Sequence, residues 1–212
     1  MKELGVFCGT FNPVHWGHLL VAECARDQFK LDTVIFITCG RPPHRRGDLL
    51  DGESRHEMVA AALTDNPHFE ASRMELDRPG PSYTVDTIEA LRASSPAGAR
   101  LNLIIGGDNL AYLPQWHRAE DLSRLCRFLV APRMAPVAGN AEAQVQQKVV
   151  LPDGFDVAEI ASPVVAVSSS EIRNRLRAEQ SVLYMVPPAV NSILLARRHY
   201  RGSANPHPAG ER

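Results

Sequence analysis

Residues Gly9–Ala25 read GTFNPVHWGHLLVAECA. Two histidines, His15 and His18, stand three apart around Gly17, just ahead of a run of good helix formers. Upstream, the apolar run Leu4–Cys8 predicts a strand. Downstream, Leu19–Lys30 predicts a helix, with Val21, Ala22, Ala25 and Phe29 on one side at helical spacing. The quoted stretch is therefore a strand-to-helix turn. A helix N-terminus exposes unpaired N–H groups and partial positive charge, which suit phosphate. Gly9 and Gly17 would let the backbone approach a ligand closely, and Thr10 offers a hydroxyl. Imidazoles at 15 and 18 could donate to phosphate oxygens and stabilise charge on a transferring phosphoryl group. Taken alone, His-x-Gly-His reads equally well as a turn glycine with two surface histidines. A metal site fits less well, because no third ligand follows at suitable spacing.

The rest of the chain repeats the pattern. The runs Thr33–Cys39 (TVIFITC), Leu101–Gly107 (LNLIIGG), Cys126–Pro132 (CRFLVAP) and Pro163–Ser170 (PVVAVSSS) do not alternate polar with apolar residues. Such runs suit strands buried on both faces of a parallel sheet. Helices are predicted between them over Glu53–Leu63, Tyr83–Ala93 and Ala119–Leu125. Strand then helix, repeated, predicts an α/β fold with a doubly wound parallel sheet. Ligands of such sheets gather outside the carboxyl ends of the strands, where the strand order reverses. Pro42–Pro43 make Cys39–Asp48 (CGRPPHRRGD) a loop carrying His44, Arg45 and Arg46. Asp77–Thr84 (DRPGPSYT) is a second loop, with Ser82 placed to cap the next helix. Arg133–Gln144 reads as a polar, small-residue connection. Residues 1–200 read as one domain, and 201–212 as a disordered tail with nothing apolar to bury.

At 212 residues, with 44% hydrophobic and 22% charged residues, the composition is that of an ordinary globular domain. A net charge of −1 argues against coating nucleic acid or a membrane surface. The lopsided cations, twenty Arg to three Lys, carry no functional weight. Cys8, Cys24, Cys39 and Cys126 form neither a C-x-x-C pair nor a zinc spacing, which predicts free thiols in a reducing compartment. The opening MKELGVFCGTF has no signal-peptide pattern, and no apolar run reaches the ~20 residues of a membrane span. The expectation is a cytoplasmic protein of small-molecule substrates, with no nucleic acid or membrane partner and a homo-oligomer left open. No G-x-G-x-x-G, Gly-Lys or G-x-S-x-G occurs, so dehydrogenase, Walker A and hydrolase-elbow readings fall away.

Two further stretches offer chemistry. In Val167–Leu176 (VSSSEIRNRL), Ser168 or Ser169 suits an N-cap with Glu171 in the first turn. Adding Arg173 one turn in would make a second phosphate cradle. In Ile104–Trp116 (IIGGDNLAYLPQW), a strand ends at Gly106-Gly107-Asp108, placing a carboxylate at the ligand end of the sheet. Trp116 reads as a core residue or as an aromatic face for a flat ring.

Together GTFNPVHWGH, PPHRR, SYTVDTIEAL, IIGGDNLAYLPQWHRAEDL and VSSSEIR resemble, in order and spacing, the bacterial nicotinate mononucleotide adenylyltransferases over roughly residues 4–200. The resemblance implies a Rossmann-like nucleotidyltransferase fold with C-terminal helices. It implies transfer of AMP from ATP to nicotinate mononucleotide, giving nicotinate adenine dinucleotide and pyrophosphate in NAD biosynthesis. Mg²⁺ would be carried by the ATP phosphates, with no metal site on the protein. The matching positions imply His15, His18 and Arg173 as catalytic residues. ATP contacts would come from Gly9, Thr10, Phe11, Gly17, Gly106, Asp108, Ser168, Ser169 and Ile172. His44, Arg45, Tyr83, Thr84 and Trp116 would hold the nicotinate nucleotide. The chain departs from the family pattern at Cys8, where Gly is usual, at Asn12, where Asp is usual, and at Ser170, where Thr is common. Asn12 in particular removes a carboxylate near the phosphates. Phosphopantetheine and glycerol-phosphate relatives would lack the Ser82-Tyr83-Thr84 loop and Trp116. A non-catalytic nucleotide-binding regulator would tolerate losing His15, His18 or Arg173, all of which are present. A fragment of an aminoacyl-tRNA synthetase would need a tRNA-binding region that neither length nor charge supplies.

Overall fold

Each of the uninterrupted apolar runs up to Pro132 forms an inner strand of one parallel sheet in the computed structural model, which describes residues 1–43, 48–132 and 153–201. In chain order the elements are β1 (Glu3–Gly9), α1 (Trp16–Phe29), β2 (Thr33–Thr38), α2 (Gly52–Leu63), β3 (Phe69–Ser72), α3 (Thr84–Ser94) and β4 (Arg100–Gly106). A 3-10 helix (Gly107–Gln115), α4 (Ala119–Leu125), β5 (Arg127–Ala131), β6 (Val157–Glu159), α5 (Ser169–Arg177) and α6 (Pro188–Ala196) follow. The sheet order is β3-β2-β1-β4-β5-β6, and every pairing is parallel. The chain winds outward from β1 to β3, then returns to place β4 against the other side of β1. That reversal opens a crevice at the carboxyl ends of β1 and β4.

Burial on both faces explains the missing alternation. Val34, Phe36, Ile104 and Leu129 point to one face, where α1, α2, α5 and α6 contribute Ala22, Met58, Ile172 and Val190. Val6, Ile37, Leu103 and Phe128 point to the other, against Val85 and Ile88 of α3 and Leu122 of α4. Most residues of the inner strands thus meet a helix layer and are apolar; Thr38 and Asn102 are the buried polar exceptions, and Asn102 donates to the Glu3 carboxylate and the Leu4 carbonyl.

The structure corrects several expectations. Helix α1 starts at Trp16, three residues before Leu19, so Gly17 lies inside it. Two edge strands, β3 and β6, escaped the sequence reading because they are short and carry Glu70 and Glu159. Pro163–Ser170 is not a buried strand. Its valines cross the end of the sheet after β6, with Val164 exposed, and the Val167 N–H closes on the Val165 carbonyl instead of joining a ladder. Ser82 does not cap α3; Tyr83 occupies that position. The 133–144 connection and the tail from 202 onward lie outside the described residues. All four cysteines are free, and among the described residues no helix is long and apolar enough to cross a membrane.

Candidate active site

The turn between β1 and α1 carries the two histidines at one end of the crevice. His15 is the N-cap of α1, in extended conformation, and His18 is the third helical residue. The His15 N–H donates to Nδ1 of His18 at 3.2 Å, so His18 keeps its proton on Nε2 and offers it as a donor. The two rings lie 3.7 Å apart at 31°. His15 is 7% exposed, and its Nδ1 has no hydrogen-bond partner among the described residues. Burial pushes its imidazole from the ordinary 6.5 down to about 4. Burial, and then the neighbouring His15, also hold His18 well below 6.5. In the free protein both imidazoles are neutral near pH 7.

The glycines make room for the turn's own rings, and Gly9 also lines the cavity across the crevice. A Cβ on Gly9 would stand 2.8 Å from the Phe11 ring, which is buried directly against it. A Cβ on Gly17 would stand 3.1 Å from the His15 ring. Glycine at 17 therefore makes room for an imidazole at the start of its own helix.

Helix α5 docks onto this turn. Ser168 is its N-cap and accepts from the Glu171 N–H. The Ser169 hydroxyl donates to the Pro13 carbonyl at 2.9 Å, and Ile172 anchors the helix with a fully buried side chain. Any contact of Ile172 with a ligand must therefore use its backbone. The Arg173 guanidinium is fully engaged: Nε donates to Asp48 at 2.9 Å, one terminal nitrogen to the Asn12 carbonyl at 2.9 Å, and the other to Ser170 Oγ at 3.2 Å. Arg177 pairs with the same Asp48 oxygen. Asp48 thus holds a carboxylate between two guanidiniums, where a phosphate oxygen would also be favoured.

Across the crevice, a cavity of about 290 Å³ brings Gly9 and Thr10 together with Tyr83, Thr84 and Trp116. Tyr83 stacks on His117, with ring centroids 4.1 Å apart, giving the cavity a flat aromatic wall. No side chain caps α3, so the N–H groups of its first turn are available to an anion. Ser82 instead accepts from the N–H groups of Gly40 and Arg41 at 3.1 and 3.0 Å, tying the loop after β2 to the loop before α3. Cys8, Cys39 and the buried Glu75 line the same cavity. Burial and then the Glu75 carboxylate push Cys39 up to about 11 and Cys8 well above its ordinary value, so neither thiol is a ready nucleophile.

Some expected residues are not gathered here. Asp108 is exposed in the first turn of the 3-10 helix and does not line the cavity, to which that helix contributes Asn109. His44 and Arg45 lie outside the described residues. Sequence reasoning missed His117, Asn109, Glu75 and Asp48. Only His117 carried a local signal, an aromatic ring directly after Trp116. Among the described residues, no group of three or more His, Cys, Asp or Glu could hold a metal ion.

The cytidylyltransferase-like family matches residues 6–175. A probable nicotinate-nucleotide adenylyltransferase of Synechococcus sp. (strain JA-3-3Ab) is 41% identical, covering 94% of this chain and 95% of its own. A protein of the same name from Bacillus pumilus is 38% identical over 94% of this chain and 99% of its own. The structure of Plasmodium falciparum nicotinic acid mononucleotide adenylyltransferase complexed with NaAD superposes with a TM-score of 0.74. It covers 94% of this chain and 98% of that one, at 16% identity, a likeness of fold. The sheet order, the histidine turn and end-to-end similarity at this level agree, and the chain belongs to the cytidylyltransferase-like family and, within it, to the nicotinate-nucleotide adenylyltransferases.

Proposed function

We propose that this protein transfers AMP from ATP to nicotinate mononucleotide, releasing pyrophosphate and forming nicotinate adenine dinucleotide. The observation that carries this reading is the crevice itself. Two neutral imidazoles and the Ser168–Arg173 end of α5 stand on one side, and an aromatic cavity with an uncapped helix start stands on the other.

The mononucleotide phosphate is the nucleophile and attacks the α-phosphorus of ATP in line. It is already an anion, so positioning and charge neutralisation supply the catalysis, and no general base or enzyme nucleophile is required. The protonated thiols agree with that. His18 donates from Nε2, and it donates more strongly as negative charge builds on the departing pyrophosphate. Arg173 exchanges Asp48 for ATP phosphate oxygens, and Ser168 and Ser169 flank that exchange. Mg²⁺ bound to the ATP phosphates would supply further charge neutralisation, while the protein's own donors to the triphosphate are N–H groups, hydroxyls and the Arg173 guanidinium. The nicotinate ring lies against Trp116 beside Tyr83, and its carboxylate meets the first-turn N–H groups that begin at Thr84.

Pyrophosphate release from ATP, measured with nicotinate mononucleotide, nicotinamide mononucleotide and phosphopantetheine in turn, tests the assignment. The acid should be preferred over the amide by at least about tenfold in kcat/KM, or ~1.4 kcal/mol. Faster turnover on phosphopantetheine would overturn the substrate assignment.

A further inference from the structure

Helix α2 buries an arginine. Arg55 shares the inner face of α2 with Met58 and Val59, is 1% exposed, and is the largest fully buried side chain described. Its Nε donates to the Leu50 carbonyl at 2.9 Å, and one terminal nitrogen donates to the Thr10 carbonyl at 2.7 Å. No carboxylate forms an ion pair with it among the described residues. Asp51 is engaged by the N–H and hydroxyl of Ser54, both at 2.8 Å, and Glu75 by the Thr87 hydroxyl at 2.7 Å. A guanidinium keeps its proton in proteins, so this is a buried cation without a bonded counter-charge. Such an arrangement is unfavourable unless something else compensates it.

We infer that Arg55 is a positioning residue for phosphate: it fixes the Thr10–Phe11 peptide from behind and places positive charge there that the substrate phosphates complete. Phe11 sits at φ 45°, a left-handed conformation uncommon for a residue with a side chain, so this peptide needs outside restraint. Across a planar trans peptide, the Phe11 N–H points opposite to the Thr10 carbonyl that Arg55 holds. That N–H has no acceptor among the described residues, and Thr10 lines the cavity. A cation bonded to the carbonyl polarises the peptide and makes its N–H a stronger donor. Arg55 therefore acts through the backbone from inside the core.

The inference rests on the reading of this turn as a phosphate site, and pyrophosphate is the probe. If the wild-type protein binds no pyrophosphate by calorimetry, the phosphate reading itself fails, and this inference with it. Given wild-type binding, Arg55→Gln keeps a donor for the carbonyl without the charge, and Arg55→Lys keeps the charge. Folded Arg55→Gln should bind pyrophosphate about tenfold more weakly, the scale of one charged hydrogen-bond partner. Binding of phosphate-free nicotinate riboside, read by Trp116 fluorescence, should be unchanged. Arg55→Lys, whose ammonium can hold the Thr10 carbonyl but not the Leu50 carbonyl as well, should fall between wild type and Arg55→Gln for pyrophosphate and leave nicotinate riboside binding unchanged. Wild-type pyrophosphate affinity in Arg55→Gln, equal weakening of both ligands, or Arg55→Lys as weak as Arg55→Gln would each overturn the assignment. If Arg55→Gln does not fold, the Arg55 Nε–H resonance of the wild-type protein decides: it should shift on adding pyrophosphate, and an unmoved signal overturns the inference.

Discussion

Lowering the pH should destabilise this protein well before its carboxylates titrate, and His15 should account for much of the effect. Its imidazole titrates near 6.5 when unfolded and near 4 in the folded protein, where burial disfavours the charged form. Between those values the unfolded chain binds a proton that the folded chain refuses. Stability is therefore fully present above about 6.5 and is lost as pH falls toward 4. At 1.36 kcal/mol per unit, the full window corresponds to about 3 kcal/mol, of which about 2 kcal/mol is lost between pH 7.5 and 5. His18 is shifted the same way, so the wild-type loss should exceed that of His15 alone. Carboxylates held low by partners, such as Asp48 and Glu53, begin from ordinary values of 3.8 and 4.5 and act at lower pH. Asn is a good N-cap and does not titrate, so His15→Asn should fold and lose the His15 share of the slope, while His18, His56 and His199 keep theirs. Urea unfolding at half-unit steps from pH 7.5 to 5 measures both proteins. Superimposable pH dependence of wild type and His15→Asn would refute the claim that buried, neutral His15 carries this sensitivity.

Two other changes probe the substrates separately. Asp48→Asn should release Arg173 from its carboxylate and lower the KM for ATP by up to about fivefold, the scale of a partly exposed ion pair. An unchanged or raised KM would show that Asp48 does not compete with phosphate. Trp116→Ala should raise the mononucleotide KM by the equivalent of about 1–3 kcal/mol of stacking while leaving the ATP KM close to wild type. A normal mononucleotide KM would remove Trp116 from ring recognition.

The inner strands were legible because a parallel strand covered on both faces carries few polar positions, and the runs at β1, β2, β4 and β5 are interrupted only by Thr33, Thr38, Asn102 and Arg127. Edge strands β3 and β6 have one neighbour each and tolerate Glu70 and Glu159, so they leave no such run. Pro163–Ser170 misled in the opposite direction: its valines are apolar, but β6 had already ended the sheet. In the site, the Ser168 cap and the histidine turn were readable because their partners are three residues away. Asp48 and Arg55 were not. Arg173 reaches Asp48 across 125 residues and Arg55 reaches Thr10 across 45, distances over which composition and periodicity carry no signal. Gly9 and Gly17 stood out as places for close ligand approach, and the structure adds a packing role. Their openness accommodates the chain's own Phe11 and His15 rings.

Asn12 illustrates how the turn and the 48–50 segment depend on each other. Its side chain is 2% exposed, and every polar atom on it has a partner. Nδ2 donates to the Asp48 carbonyl at 2.8 Å, while Oδ1 accepts from the Leu50 N–H at 3.3 Å and from the Tyr200 hydroxyl. A carboxylate could accept the latter two but could not donate to the Asp48 carbonyl, and would face that oxygen unpaired in a buried position. The amide is therefore the group that fits, and the negative charge absent from position 12 reappears on the Asp48 side chain, held by Arg173 and Arg177. The backbone of Asn12 closes the loop by accepting from Arg173. The site thus keeps its cations covered: two imidazoles are neutral, two guanidiniums are paired to Asp48, and one is sealed behind the Thr10 carbonyl. On the proposed function, a polyanion that displaces Asp48 from Arg173 would also make protonation of the imidazoles more favourable, which would link phosphate affinity to the pH response of the histidines through this one turn.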